Sequence, residues 1–138
     1  MTLENENIKI DLTHASISQE MNGIIFIRIK SGAVLDLAKI KEINEAKNKL
    51  ADDRRHAVIF IAHENAVMTK EARNYSASEE VFKNAVCKAI VVKSTAHRLI
   101  TNYFIHFLKP IAPVKMFNSE QKAVEWVLEK FKSVGLHF

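Results

Sequence analysis

Ala57-Val58-Ile59-Phe60-Ile61-Ala62 is the longest wholly apolar run in the chain, and its reading decides the fold. Polar and apolar residues do not alternate along it, so neither face of the segment is built to meet water. A membrane-spanning helix needs about 20 apolar residues, far more than this run supplies. The β-branched and aromatic side chains favour an extended backbone. The run therefore predicts a central strand covered on both faces, as in a parallel sheet flanked by helices.

Working outward, Ile24-Ile25-Phe26-Ile27-Arg28-Ile29 is a second dense β-branched run, and Ile8-Lys9-Ile10-Asp11-Leu12 alternates apolar with polar. Asn22-Gly23 lies between them and is suited to supply two positive φ values to a tight turn, so these two segments are expected to form an antiparallel hairpin. Asp36 then offers a cap for a helix with Leu37, Ile40, Ile43 and Leu50 at helical spacing, ending in the charged turn 52–56. Beyond the central run, Thr69 is expected to cap a second helix reaching about Asn84, with Tyr75 and Phe82 inward. Val86 to Val92 reads as another buried strand.

Ser94-Thr95 opens the most regular helix, whose apolar positions are Ala96, Leu99, Ile100, Tyr103, Phe104, Phe107 and Leu108. Pro110 stops it, and Pro113 leads into an edge strand at Val114-Lys115-Met116-Phe117. The last helix opens at Ser119 and is expected to bury Ala123, Val127, Leu128 and Phe131. The sum is one domain over residues 1–138 of α/β class. It is a mainly parallel sheet of about five strands with an N-terminal antiparallel hairpin, in the order ββαβαβαβα, with right-handed crossovers and helices packed on the sheet.

Composition agrees with such a domain. Of 138 residues, 48% are hydrophobic and 26% charged, while three Gly and two Pro exclude collagen-like and linker-dominated chains. The single Cys87 cannot form an intramolecular disulfide and fits a reducing compartment. The acidic, amide-rich start Met1-Thr2-Leu3-Glu4-Asn5-Glu6-Asn7 lacks the basic and apolar parts of a signal peptide. A soluble, cytoplasmic protein without a transmembrane segment is the expectation. The net charge of +4 is unevenly placed: no Asp or Glu occurs from Val81 to Ser119, while Lys83, Lys88, Lys93, Arg98, Lys109 and Lys115 do. A field of that sign draws anionic ligands or acidic partners, unless acids elsewhere in the fold neutralise it.

Motifs for catalysis are sparse. None of Gly23, Gly32 and Gly135 lies between a strand and a helix start, which excludes the familiar phosphate loops. The six histidines show no pair at i, i+4 and no cysteine partner at zinc spacing, so no metal and no cofactor are expected. Cys87 within an apolar strand reads as a packing group. No acid/base pair is forced together by spacing, which argues against an enzyme. Basic and aromatic residues do not interleave on a strand face, which argues against nucleic acid.

Ligands in α/β sheets gather at the carboxyl ends of strands, here the loops His63 to Thr69 and Lys93 to His97. At the second, Ser94, Thr95, His97 and Arg98 add donors to a helix N-terminus that could hold a phosphate or carboxylate, although an ordinary cap is the simpler reading. Along the same helix, Arg98, Asn102, Ile105 and Lys109 form a stripe opposite the apolar positions. This leaves Ile105 exposed as a contact for a partner or lipid surface. At the first loop, Thr69 is a cap whose hydroxyl could also accept a phosphoryl group, with Arg73 one turn on and turned away from the inner side of Tyr75.

Thr69-Lys70-Glu71-Ala72-Arg73-Asn74-Tyr75, the segment from Ser94 to Phe104, and Pro113-Val114-Lys115-Met116-Phe117 followed by Ala123 and Trp126 resemble an uncharacterised bacterial family of STAS-like domains over residues 24–131. That family is similar in fold to the anti-anti-sigma factors and to the lipid-carrying CRAL-TRIO domains. Where anti-anti-sigma factors carry Asp-Ser-Ser-Gly, with one serine phosphorylated, this chain reads Met68-Thr69-Lys70-Glu71, and only Thr69 keeps a hydroxyl. The resemblance implies a STAS-like sheet with helices. The two helix N-termini at strand ends and the acid-free stretch lead to the expectation of a non-enzymatic module binding a partner protein or a small anionic ligand across Thr69, Arg73, Ser94, His97 and Arg98. Its alternative is a carrier of lipid or apolar small molecules, with an enclosed cavity beneath Tyr103, Phe104 and Phe107. A second copy of the chain is a further candidate partner.

Overall fold

The computed structural model describes residues 8–63 and 65–137, with the backbone alone at 100, 102–104, 107 and 108. Along them the chain runs β1 (Ile8–Asp11), β2 (Ala15–Met21), β3 (Ile24–Ile29), β4 (Val34–Leu35), α1 (Leu37–Ala51), β5 (His56–Ile61), β6 (Val67–Met68), α2 (Lys70–Ser76), α3 (Glu79–Phe82), β7 (Ala85–Val91), α4 (Thr95–Leu108), β8 (Val114–Phe117) and α5 (Glu120–Ser133). Six strands make one sheet in the order β1-β2-β3-β5-β7-β8, and β4 pairs with β6 beside it. The apolar run at 57–62 supplies β5, which lies between two parallel neighbours, β3 and β7.

The parallel strands advance across the sheet in chain order. A right-handed crossover that always steps in the same direction must always pass on the same side, so α1, the α2–α3 pair and α4 share one face. The terminal helix α5 makes no crossover and covers the other. The pleat divides the core accordingly. Ile25, Ile27, Val58 and Phe60 pack with Ile40, Ile43 and Ala46 of α1. Phe26, Ile59, Cys87, Ala89 and Val91 pack with Ala123, Val127 and Phe131 of α5. Arg28 of β3 forks between Glu20, at 2.9 Å, and Glu120, at 3.0 Å, which ties the start of α5 to the antiparallel end of the sheet.

Each long helix starts where a short polar side chain frees a backbone amide from water. Asp36 accepts from the amide of Lys39 at 3.0 Å, Ser94 from that of His97 at 3.4 Å, and Ser119 from that of Lys122 at 3.2 Å. Thr69 caps α2 in the same way, accepting from the amide of Ala72 at 3.2 Å.

Four expectations are corrected. Asn22-Gly23 does not join residues 8–12 to 24–29; it joins β2 to β3, and β2 separates the two segments, raising the sheet to six strands. Only Gly23 takes a positive φ, 76°, and a register shift between Gln19 and Met21 absorbs the remaining twist. The helix capped by Thr69 stops at Ser76, because Ser78 caps a separate turn, α3, and Asn84 adopts a left-handed φ of 63° just before β7. Leu128 is exposed on α5 rather than buried, since Ala123, Val127 and Phe131 already fill the stripe facing the sheet.

His56, at the start of β5, is 2% exposed. Its Nδ1 lies 3.0 Å from the carbonyl of Arg54 and donates to it, while Nε2 is buried without a partner. Burial pulls its pKa down to about 4, and the nearby charge of Lys47 adds to the effect. Between about pH 6.5 and 4 the unfolded chain therefore takes up a proton that the folded chain refuses, and stability falls as pH drops through that window. In urea titrations, wild type should lose roughly 2 kcal/mol more between pH 7 and about 4.5 than His56→Phe does. Equal losses would rule out this role for His56.

Candidate functional site

On the crowded face, α1 does not reach the half of the sheet nearest β8, and α4 stands over that half without closing onto it. Between them lies a cleft of about 280 Å³, open on one side. Its floor is Phe60 of β5 with Lys88 and Ile90 of β7; Arg73, Ala77 and Phe82 form one wall; His97, Thr101 and Ile105 of α4 form the roof. The lining is mainly apolar, and the titratable side chains among it are Arg73, Lys88 and His97. Among the described residues no Asp or Glu lines it.

Lys88 is the feature that sequence reasoning passed over. Cys87 and Ala89 turn toward α5, so the pleat turns Lys88 to the opposite face. There its Nζ lies 5.2 Å from the centre of the Phe60 ring and 6.0 Å from that of Phe82. Among the described residues it meets no hydrogen-bond acceptor and no carboxylate. Desolvation pushes its pKa down to about 8, and the charge of Lys47 pushes it the same way. Lys47, projecting from α1 and 2% exposed, shares with Lys88 a smaller gap of about 30 Å³ behind the cleft. Its ammonium donates to the carbonyl of Val81 at 2.6 Å, and burial lowers its pKa to about 8 as well. A signal for Lys88 was present in the sequence: a lone lysine in a strand that is otherwise apolar on both faces.

The structure brings only some of the expected site residues together. Arg73 and His97 face the cleft, as does Ile105. Arg73 is not turned away from the interior; it donates to the carbonyl of Met68 at 2.5 Å, which draws its side chain back along α2. Ile105 is half-buried rather than exposed, because α4 is rotated so that His97, Thr101 and Ile105, one turn apart, face the sheet while Leu99 is 70% exposed. Thr69 and Ser94 are occupied as caps, and Thr95 accepts from Arg98 at 3.4 Å, so that Arg98 folds back on the start of its own helix and stays outside the cleft. The side chains of Asn102, Tyr103, Phe104 and Phe107 lie outside the described residues.

Other chemistry is poorly provided for. The Cys87 thiol is buried on the α5 face, and desolvation pushes its pKa up to about 12. Burial and a hydrogen bond to Glu80 push Tyr75 up to about 12. Among the described residues, no three His, Cys, Asp or Glu side chains gather as a metal would need, and no helix is long and apolar enough to cross a membrane.

A family model described as a domain of unknown function, DUF7793, matches residues 17–132. No curated protein matches the chain. Among solved structures, it is similar to an uncharacterized DUF3478-family protein with a SpoIIAA-like fold from Shewanella loihica PV-4. The TM-score is 0.60 at 11% identity, covering 86% of this chain and 98% of that one. This likeness shows the fold, a STAS-like mixed sheet with helices. A protein of unknown function from Arthrobacter sp. FB24 is 20% identical over 81% of this chain and 97% of its own, with a TM-score of 0.31.

Lys47 offers a test of the electrostatics behind the cleft. Its folded pKa of about 8 lies below the ordinary 10.5. From about pH 8 to 10.5 the folded chain has released a proton that the unfolded chain still holds, so this group's destabilising effect, full below pH 8, fades as pH rises. Lys47→Met should be more stable than wild type at pH 7 by about 1–3 kcal/mol. The difference should shrink toward zero by about pH 10.5 in urea titrations. A less stable variant at pH 7 would show that the bond to Val81 outweighs the burial of the charge.

Proposed function

The chain belongs to the DUF7793 family, a domain of unknown function, and we propose that it is a non-enzymatic module that reversibly encloses one small, mainly apolar molecule in the cleft between the sheet and α4. The observation that carries this reading is the cleft itself, about 280 Å³ of mainly apolar lining at the carboxyl ends of β5 and β7. Protein interiors close-pack, so an apolar gap of this size facing water is costly, and a ligand that fills it recovers the lost contact. Mainly apolar walls with a few polar groups are the usual constitution of ligand sites.

Size narrows the class. The volume is at the lower end of the ~300–1,000 Å³ range of small-molecule pockets, which favours a single-chain or single-ring molecule over a two-chain lipid. The carrier alternative is thereby kept in a smaller form, with a cleft open on one side in place of an enclosed cavity, and it rests on that cleft alone, since the solved structure this chain resembles has a SpoIIAA-like fold and not a CRAL-TRIO one. A non-enzymatic role agrees with the surroundings: the thiol of Cys87 is on the other face of the sheet, and among the described residues the cleft's titratable groups include no acid.

The neutral fluorophore N-phenyl-1-naphthylamine should brighten on addition of the protein, with a dissociation constant in the micromolar range, on the order of 1–10 μM. Ala77→Phe, which places a ring in the cleft, should weaken that binding about tenfold while leaving the circular dichroism spectrum unchanged. No brightening with wild type, or equal brightening with the folded variant, defeats the reading.

A further inference from the structure

We propose that the cleft selects molecules that end in a carboxylate, with the Lys88 ammonium as the anchor for that group and the apolar body lying against Phe60, Ile90 and Ile105. This rests on the reading that the cleft holds a ligand, and adds to it the chemical class.

The argument begins with where Lys88 sits. A position in the middle of a parallel strand, flanked by β5 and β8 and turned toward the helical face, is an apolar position by default. Lys88 is half-buried there, and holding an ammonium largely away from water is unfavourable unless something offsets it. The two ring faces at 5.2 and 6.0 Å offset part of the loss of water, but neither accepts a hydrogen bond as an oxygen does. The ammonium has three protons to donate, and among the described residues none reaches an acceptor.

The surroundings then give the sign of the missing partner. Among the described residues, the charged and titratable groups facing Lys88 and its cleft are Lys47 from α1, Arg73 from α2 and His97 from α4, with no carboxylate beside them. The charges of Lys88 and Lys47 add in a region of low dielectric, where charges act over longer distances than in water. An anionic group entering the cleft meets a positive potential and completes the hydrogen bonding of Lys88 in one step. A single compact ammonium above an apolar floor suits a monoanion, whose charge one cation can balance, and the apolar lining suits the chain or ring attached to it. Lys88 is in this respect unlike Lys47, whose ammonium already has the carbonyl of Val81 at 2.6 Å.

The test compares two ligands that differ only at the head. Decanoate and 1-decanol are each used to displace N-phenyl-1-naphthylamine from the full chain at about pH 7. Decanoate should compete at about tenfold lower concentration, as a charge-assisted hydrogen bond predicts. Lys88→Met, which keeps the length and removes the charge, should bring the two ligands to within about twofold of each other. In wild type, needing no variant, the preference for decanoate should fade as pH is raised from about 7 to 9.5 and Lys88 loses its proton, whose pKa of about 8 falls inside that interval. Lys88→Gln serves in place of Lys88→Met if the latter fails to fold. A preference that survives in the folded Lys88 variant, or is unchanged at about pH 9.5, overturns the assignment of Lys88. Equal binding of the two ligands by wild type overturns the carboxylate class while leaving the cleft as a ligand site. Failure of the probe itself to bind removes both.

Discussion

β5 must be buried on both faces, and the rest of the architecture follows from how that burial is achieved. Its residues carry no polar face, so helices are needed above and below. With β3, β5, β7 and β8 in spatial order, the handedness of crossovers sends every connecting helix to one side. Only the helix after the last strand is free to cover the other. One face is thus shared among α1, the α2–α3 pair and α4, and the opposite face rests on α5 through Ala123, Val127 and Phe131. The unequal division creates the cleft: three connections of different lengths cannot tile one face evenly, and the margin under α4 is where the tiling fails.

What was legible in the sequence is whatever a short window fixes. The run at 57–62 announces a doubly covered strand, and Asp36, Thr69, Ser94 and Ser119 announce helix starts because each cap satisfies amides within three residues of itself. What was not legible depends on partners distant in sequence. β2 reads Ala15-Ser16-Ile17-Ser18-Gln19-Glu20-Met21, too polar for a strand by density alone. Its buried Ser18 and Gln19 are held there by pairing with Phe26 and Ile25 of β3. The rotation of α4 was equally hidden. Apolar residues occupy so much of its circumference that a helical projection does not single out one face. The structure exposes Leu99 and turns Ile105 inward.

The acid-free stretch from Val81 to Ser119 also changes meaning in three dimensions. Three of its cations are placed apart from one another. Lys83 lies 3.9 Å from Asp53, Lys115 lies over the ring of Phe117, and Lys88 is turned inside. The absence of acids in this stretch therefore also matters for the interior. It leaves β7, the start of α4 and the chain leading to β8 with no carboxylate to offer Lys88.

Two lysines on the same side of the sheet, each with its pKa lowered to about 8 mainly by desolvation, illustrate why a shifted pKa does not by itself identify a functional group. Lys47 has a carbonyl acceptor within its own fold. It joins α1 to the chain just before β7, and its burial cost is partly offset by a bond that is present whether or not anything else binds. Lys88 has ring faces in place of an acceptor, and its charge adjoins a space large enough for a small molecule. The difference between the two is geometric. A buried cation with an internal acceptor is a fixture of the fold, whereas one that borders a cleft, with no carboxylate among the described lining residues and an apolar floor beneath, leaves its hydrogen bonds to be completed by what enters.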